Sequence, residues 1–460
     1  MTKRYLGFLA CALPALYLLL GPVYALLHFE EYASETPHFI RYVLVPGLLG
    51  MAFAIVGLFA KPSISGLVGT CGLSVLLALF LFEAKLTATT VSVRLGMLGQ
   101  YTEEQDEALG RTQDVVRGFT LRRLNRLSGT NELSKALLSG FPSTQVVLCT
   151  SESGIVSYTA DRYGFNNPDH LYEKHLDLML LGDSFVEGFC LPPGEDLAAR
   201  LRDGGLATAS MGMRGNGPLI ELATLGRFGD LLQPRLVLMT FFEGNDWENL
   251  KSELAVPWLR TVLSPDANYG SQATAEETIR LARIAAAERS RDAITVVDVL
   301  TRTALLRNFI ALQQTFTRLG LTYPKVAAEI PEFRQTLHRA KALTESWGGT
   351  FALVYVPRLD RFMGPLSTYA PFDQLRTRVL DSAAAEGIEV IDLYEAFRGR
   401  SDPAHMYAPD GHFSREGASI AAQVILLQLQ AMEKTKPTAG AKEPYAQLQS
   451  RPLRTRVDAY

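Results

Sequence analysis

The chain has 460 residues, a formal net charge of −3 and a pI near 6.2, with 47% hydrophobic residues. That length exceeds one ordinary domain, so two or three units are expected. The weakly acidic balance lacks the basic footprint of a nucleic-acid-binding protein, and no nucleic-acid partner is expected.

Most of the hydrophobic excess lies before residue 86. Three apolar stretches stand there, Tyr5–Leu27, Val43–Ala60 and Ile64–Phe82, and none carries an internal charge. Each approaches or exceeds the roughly 18–20 residues that cross a bilayer as a helix. Pro14, Pro22 and Pro46 are tolerable in such helices. Lys3 and Arg4 precede the first stretch and Lys61 follows the second. Glu30, Glu31 and Glu35 lie between the first two, with Arg41 the only opposing charge. The positive-inside rule then sets the N terminus and Lys61 in the cytoplasm, and the chain after about residue 86 outside. If Tyr5–Leu20 were instead a cleaved signal peptide, with a weak cleavage site near Ala25, the large domain would still lie outside. Cys11 and Cys71 fall in the spans and read as apolar fillers. Cys149 and Cys190 fall in the outer part, where a disulfide is chemically permitted but its connectivity is not fixed by sequence.

From Thr87 to about Leu138 the pattern is polar and helical, with Val115, Val116, Phe119, Leu121, Leu124 and Leu127 at three- and four-residue spacing. It reads as a stalk or a packing arm. A short strand is expected at Gln145–Cys149, and residues 161–169 (Asp-Arg-Tyr-Gly-Phe-Asn-Asn-Pro-Asp) read as an ordered loop. Strand patterns follow at Leu176–Leu181, Leu206–Met211, Leu236–Phe242, Phe351–Val356 and Val390–Leu393. Helix patterns alternate with them near Glu195–Arg202, Leu219–Leu232, Pro331–Trp347, Phe372–Ala385 and Arg415–Met432. That alternation predicts an α/β domain, a parallel sheet with helices on both faces. The expected organisation is a membrane region at 1–86, a helical stalk and leader loop at 87–175, and the α/β domain at 176–432. An insertion at 247–330 has helical stretches at Ala275–Arg291 and Val296–Leu319. A polar tail at 433–460 reads as disordered.

Four clusters sit at or near the predicted strand ends. Gly182-Asp183-Ser184-Phe185 follows the first strand, where a small hydroxyl residue can face the open end of the sheet. Gly212-Met213-Arg214-Gly215-Asn216-Gly217-Pro218 follows the second, and its glycines let backbone N–H groups approach a ligand. Glu243-Gly244-Asn245-Asp246 follows the third, and Asn245 offers an uncharged N–H donor suited to a developing oxyanion. Asp410-Gly411-His412-Phe413-Ser414-Arg415-Glu416-Gly417 precedes the last helix. There His412 can take a proton from a serine hydroxyl while a carboxylate fixes its tautomer, and Ser414 can also cap the helix.

In this order, Ser, Gly, Asn, then Asp/His, the chain resembles the SGNH (GDSL-type) hydrolase superfamily over roughly residues 176–246 and 350–432. The resemblance implies a flavodoxin-like three-layer fold, with Ser184 as nucleophile, His412 as general base and Asp410 as its orienting acid. It also implies an oxyanion hole from the backbone N–H of Ser184, the backbone N–H of Gly215 and the side chain of Asn245. Two departures stand out. Glu243 occupies a place where the family usually has Gly, and Asp410 precedes His412 by two residues rather than three. The shorter spacing resembles that of alginate-acetylating relatives of this fold. A literal Asp-x-x-His at Asp402–His405 lacks the following Phe-Ser-Arg-Glu-Gly and is set aside.

His28, His38, His170, His175 and His338 show no partner pattern, no metal-ligand spacing is present, and no cofactor is expected. Arg162, Glu187, Arg214 and Trp247 flank the motifs and read as structural. The expected function is a membrane-anchored serine esterase of the bacterial plasma (inner) membrane, multi-pass, with its catalytic domain on the extracytoplasmic side. The leader loop resembles that of bacterial SGNH proteins associated with cell-surface polysaccharides, which makes acylated carbohydrate, O-acetyl glycans above all, the expected substrate. An O-acetyltransferase using the same triad and a membrane-borne acyl donor, an idle glycan-binding or scaffold subunit, and a lipid esterase are the alternatives.

Overall fold

The computed structural model describes residues 2–98, 115–151, 154–290, 305–367 and 370–435. The expected 436–460 part of the tail, the 99–114 part of the arm and residues 291–304 of the insertion lie outside the described residues. The chain divides into two compact units. One comprises Met1–Gly96, Ile294–Ile330 and Asp360–Arg378; the other comprises Met97–Ala293, Pro331–Leu359 and Val379–Tyr460. This division does not break at 175 or 247. Residues 305–330 of the insertion group with the N-terminal helices, and residues 115–151 and 154–175 group with the α/β sheet.

The first unit holds three helices long and apolar enough to cross a membrane, Arg4–Leu27, Thr36–Phe59 and Pro62–Val91. The second of these contains a π-helical turn at Ile40–Leu44, and the third continues to Leu98. Large apolar side chains along them, among them Leu20, Leu48, Leu67 and Leu77, are exposed. A helix apolar on its outer face fits a hydrocarbon surrounding.

In the second unit a small sheet, β1 (Val115–Arg117), β2 (Gln145–Ser151) and β3 (Gly154–Thr159), pairs β1 parallel and β3 antiparallel to β2. Within the Thr87–Leu138 stretch whose pattern reads as helical, the 115–127 part is not helical throughout. Val115–Arg117 is a strand, and only Leu121–Leu127 is helical, capped by the Thr120 hydroxyl. Three residues are too few to display a period of two, whereas Leu121 and Leu124 carry the helical spacing and are buried.

The main sheet comprises β4 (Leu178–Leu181), β5 (Thr208–Ser210), β6 (Leu236–Phe242), β7 (Thr350–Val356) and β8 (Glu389–Asp392). Its order is β5-β4-β6-β7-β8, and every pairing is parallel. All four residues of β4 are buried, so both faces of the sheet are covered there. Helix Pro218–Leu232 packs on β4 and against helix Pro331–Ser346, which packs on β7. Helix Leu197–Asp203 packs on β5 and against Arg415–Thr435. The strand order reverses at β4, which is flanked by the two strands that follow it, β5 and β6. The crevice beyond the carboxyl ends of such strands is where ligands gather.

Candidate active site

Ser184 opens a single helical turn, Ser184–Glu187, immediately beyond β4. The Asp183 carboxylate caps that turn by accepting from the Phe185 N–H at 2.9 Å, which turns the chain sharply and aims Ser184 out of the strand end. The Ser184 side chain lies within 2.8 Å of His412 Nε2, and His412 Nδ1 lies 2.8 Å from Asp410 Oδ2. Residues 228 positions apart in the chain thus form one hydrogen-bonded series.

The short Asp-x-His spacing has a local cause. Asp410 Oδ1 accepts the His412 backbone N–H at 3.2 Å while Oδ2 meets the ring, so a tight Asx-type turn satisfies both contacts. Gly411 sits at φ +92°, a left-handed conformation that glycine adopts without a Cβ clash. A Tyr407–Phe413 bridge closes the loop, and the Tyr407 hydroxyl donates to the Pro357 carbonyl at 2.5 Å, just beyond β7. Ser414 caps the last helix through the Gly417 N–H at 3.0 Å. The alternative pair is looser and exposed: His405 Nδ1 lies 3.7 Å from Asp402, with the two side chains 77% and 56% exposed.

The remaining motifs converge on the same place. Asn245 Nδ2 donates to Asp183 Oδ2 at 3.2 Å, and that oxygen lies 3.4 Å from Ser184 Oγ. Gly215 adopts φ +72°, and a Cβ there would press on Thr120 Cγ2 at 2.9 Å. Among the described residues, neither the Ser184 nor the Gly215 backbone N–H has a protein acceptor. Glu243, which stands where a Gly was expected, is buried and accepts from the Arg358 N–H at 3.1 Å, tying the end of β6 to the loop after β7.

Further side chains hold these loops in place, among them Glu187 and Arg214, which flank the motifs in sequence. Glu187 accepts from Arg214 N, Nε and NH2, each at 2.9 Å, and from the Tyr158 hydroxyl at 3.1 Å. This buried ion pair holds the Gly215 loop against the Ser184 turn. The Arg214 guanidinium lies 5.2 Å from the Phe189 ring centre, and that ring lies 4.4 Å from the His412 ring. Phe185 contacts His412 on its own account at 5.2 Å. Asn249 donates to the Asn216 carbonyl at 3.1 Å, and Glu253 accepts the Gly217 and Leu219 N–H groups at 2.7 and 2.9 Å. Both lie on helix Asp246–Leu254, directly after Asn245. They lie four and eight residues after Asn245, and that repeat is the signal that would have found them, since such positions share one helix face. Trp247 is buried against Phe241 and Phe333, and Arg162 pairs with Asp169 at the surface; both are structural.

The leader loop braces the site from outside. Asp161 Oδ1 accepts the N–H groups of Tyr163, Gly164 and Phe165 at 2.8–2.9 Å. Asn167 makes a pair of bonds to the Ser210 backbone at the end of β5, and Asn166 donates to the Glu187 carbonyl at 2.8 Å. Cys149 on β2 is disulfide-bonded to Cys190, next to Phe189, with Cα atoms 5.5 Å apart.

The electrostatics separate two groups of acids. Burial opposes ionisation of Asp410, but the hydrogen bond and charge of His412 outweigh it and hold its carboxyl below the usual range. Behind Ser184, burial pushes Asp183 up, and burial with neighbouring carboxyls pushes Glu221 and Asp246 well up. Each of these shifts disfavours the charged form in the interior behind Ser184.

No model of a known protein family matches the chain, and no curated protein matches it. Among solved structures it is similar to the lipase/acylhydrolase from Enterococcus faecalis, with a TM-score of 0.31 and 17% sequence identity. That similarity covers 55% of this chain and 95% of the other.

Proposed function

We propose that the second unit is an SGNH-type serine esterase acting on ester-linked acyl groups, with O-acetyl groups of cell-surface polysaccharide as its substrate class. The observation that carries this reading is the Ser184–His412–Asp410 series at the carboxyl edge of a parallel sheet, each contact 2.8 Å. The strand order supports taking the sheet as flavodoxin-like.

In this reading Ser184 Oγ attacks the ester carbonyl carbon while His412 Nε2 takes the hydroxyl proton. Asp410 holds the Nδ1–H and stabilises the imidazolium. The carbonyl oxygen, now negative, is held by the Ser184 and Gly215 N–H groups and the Asn245 amide. Collapse breaks the C–O bond to the alcohol, which takes its proton from His412, and leaves an acyl-serine. Water activated by His412 then releases the acid and restores Ser184.

Anchoring rests on the three helices able to cross a membrane. The charge distribution around them supports a bacterial plasma-membrane protein with this unit on the extracytoplasmic side, and the Cys149–Cys190 disulfide suits an oxidising compartment. The test is turnover of a chromogenic acetyl ester by the full chain in detergent, with and without sugar acceptors. Acetate release is expected, and Ser184→Ala should lower kcat by about 10³-fold or more. Near-normal turnover in that variant would refute the mechanism. Acetylated sugar as the sole product would make the protein an acyltransferase.

A further inference from the structure

In the first unit, the segment after Leu305 packs directly on the candidate membrane spans. The Tyr17 hydroxyl donates to the Ile310 carbonyl at 3.0 Å, and Phe309 lies 5.6 Å from Phe80, ring to ring. Glu83 is fully buried. Its carboxylate accepts the Gln314 and Thr315 N–H groups at 3.0 and 2.7 Å and the Thr315 hydroxyl at 2.8 Å. A carboxylate on a span is expensive unless its oxygens are occupied. Here the start of helix Gln313–Leu319 occupies both. Farther along, Tyr42 donates to the Tyr323 carbonyl at 2.9 Å, and Arg41 donates to the Leu321 carbonyl.

The depth of these contacts matters. Tyr17 lies about 15 Å inside the Leu27 end of its helix, at 1.5 Å per residue, and Glu83 directly follows the apolar stretch that ends at Phe82. Ile310 and Phe309 therefore sit below the level at which the spans end. Yet Leu306 is 71% exposed, Ile310 47% and Phe316 39%. The spans are likewise exposed at the apolar side chains of Leu20, Leu77 and Leu81.

We infer that residues 305–319 form an in-plane interfacial element, with Leu306, Ile310 and Phe316 set among phospholipid acyl chains in the leaflet at the Leu27 and Val91 ends of the spans. Glu83 is its anchor. Apolar side chains on short helices lying at the boundary of headgroup and hydrocarbon bury against lipid while the backbone stays hydrogen-bonded. This fourth membrane contact is distinct from the three spans and independent of the esterase reading.

The test places single tryptophans in the full chain, reconstituted in phosphatidylcholine vesicles with or without bromine on acyl carbons 6 and 7. Emission is read as the difference from the parent protein, which has its own tryptophans. Leu20→Trp, on a span, and Leu231→Trp, at an exposed site of the second unit, are the references. Leu306→Trp is expected to behave like Leu20→Trp, with at least a twofold loss of emission in brominated vesicles and protection from aqueous iodide. Leu231→Trp should show the reverse. Quenching of Leu306→Trp by iodide and not by bromolipid would overturn the inference. Protection from both would also overturn it, by showing that protein covers the segment.

Discussion

Around His412 the ring contacts discriminate between a histidine that is merely present and one that is held. Its two nitrogens are occupied by Ser184 and Asp410, and its face rests on Phe189, which in turn carries the Arg214 guanidinium. An aromatic contact of this kind contributes about 0.5–1.5 kcal/mol. Phe189→Ala is therefore expected to lower kcat by roughly 2- to 10-fold with KM nearly unchanged, and Phe189→Tyr to restore most of it. A change confined to KM would show that Phe189 touches substrate instead. Asp410 has a sharper test, because a Ser–His dyad would tolerate its loss. Asp410→Asn removes the acceptor that fixes the Nδ1–H tautomer and should lower kcat by up to about 10⁴-fold. A loss under about 10-fold would remove Asp410 from the triad. Ser184 and His412 stood out in the sequence because their neighbours form motifs. Phe189 did not, since an aromatic residue in a loop has no periodicity to mark it.

Among the elements, the five strands of the main sheet and the helices between them were legible because buried parallel strands read as unbroken apolar runs. Leu178–Leu181 and Leu236–Phe242 are examples, and their predicted ends fall within two residues of the observed ones. The small sheet was not legible beyond β2. Its first strand is three residues long, and β3 shows no alternation of buried and exposed residues at its start. Which elements share a unit was not legible either, because contacts such as Glu83 with Thr315 join residues far apart in sequence. The Cys149–Cys190 disulfide joins β2 to the loop carrying Phe189, across a separation of 41 residues. Closing a loop of that size stabilises by about 4 kcal/mol through the unfolded chain. The Cys149→Ser, Cys190→Ser double variant should lose about that much in denaturant unfolding. An unchanged midpoint would show that the bond adds nothing to the fold.

The molecule as a whole stores its buried charge unevenly. Burial raises the Glu253 carboxyl from 4.5 to about 7, against the Gly217 and Leu219 N–H groups that favour the anion. Between those values the folded state keeps a proton that the unfolded state has released, so stability falls as pH rises through that window. The effect is on the order of 3 kcal/mol at its limit. Glu221, Asp246 and Asp183 are shifted in the same direction. Asp410 has the opposite sign, and its contribution is lost only as pH falls through its lowered folded pKa. Thermal unfolding of the full chain should therefore give a higher midpoint near pH 5 than near pH 8, with a shallower slope in Glu253→Gln. A midpoint that rises toward pH 8 would contradict this balance. Fluorophosphonate labelling read by peptide mass tests whether Ser184 is an activated nucleophile. One adduct is expected, on the peptide containing Ser184, formed at least about 100-fold more slowly in His412→Ala because general-base assistance is lost. An unlabelled Ser184 in the folded wild-type chain, or equal labelling without His412, would contradict it.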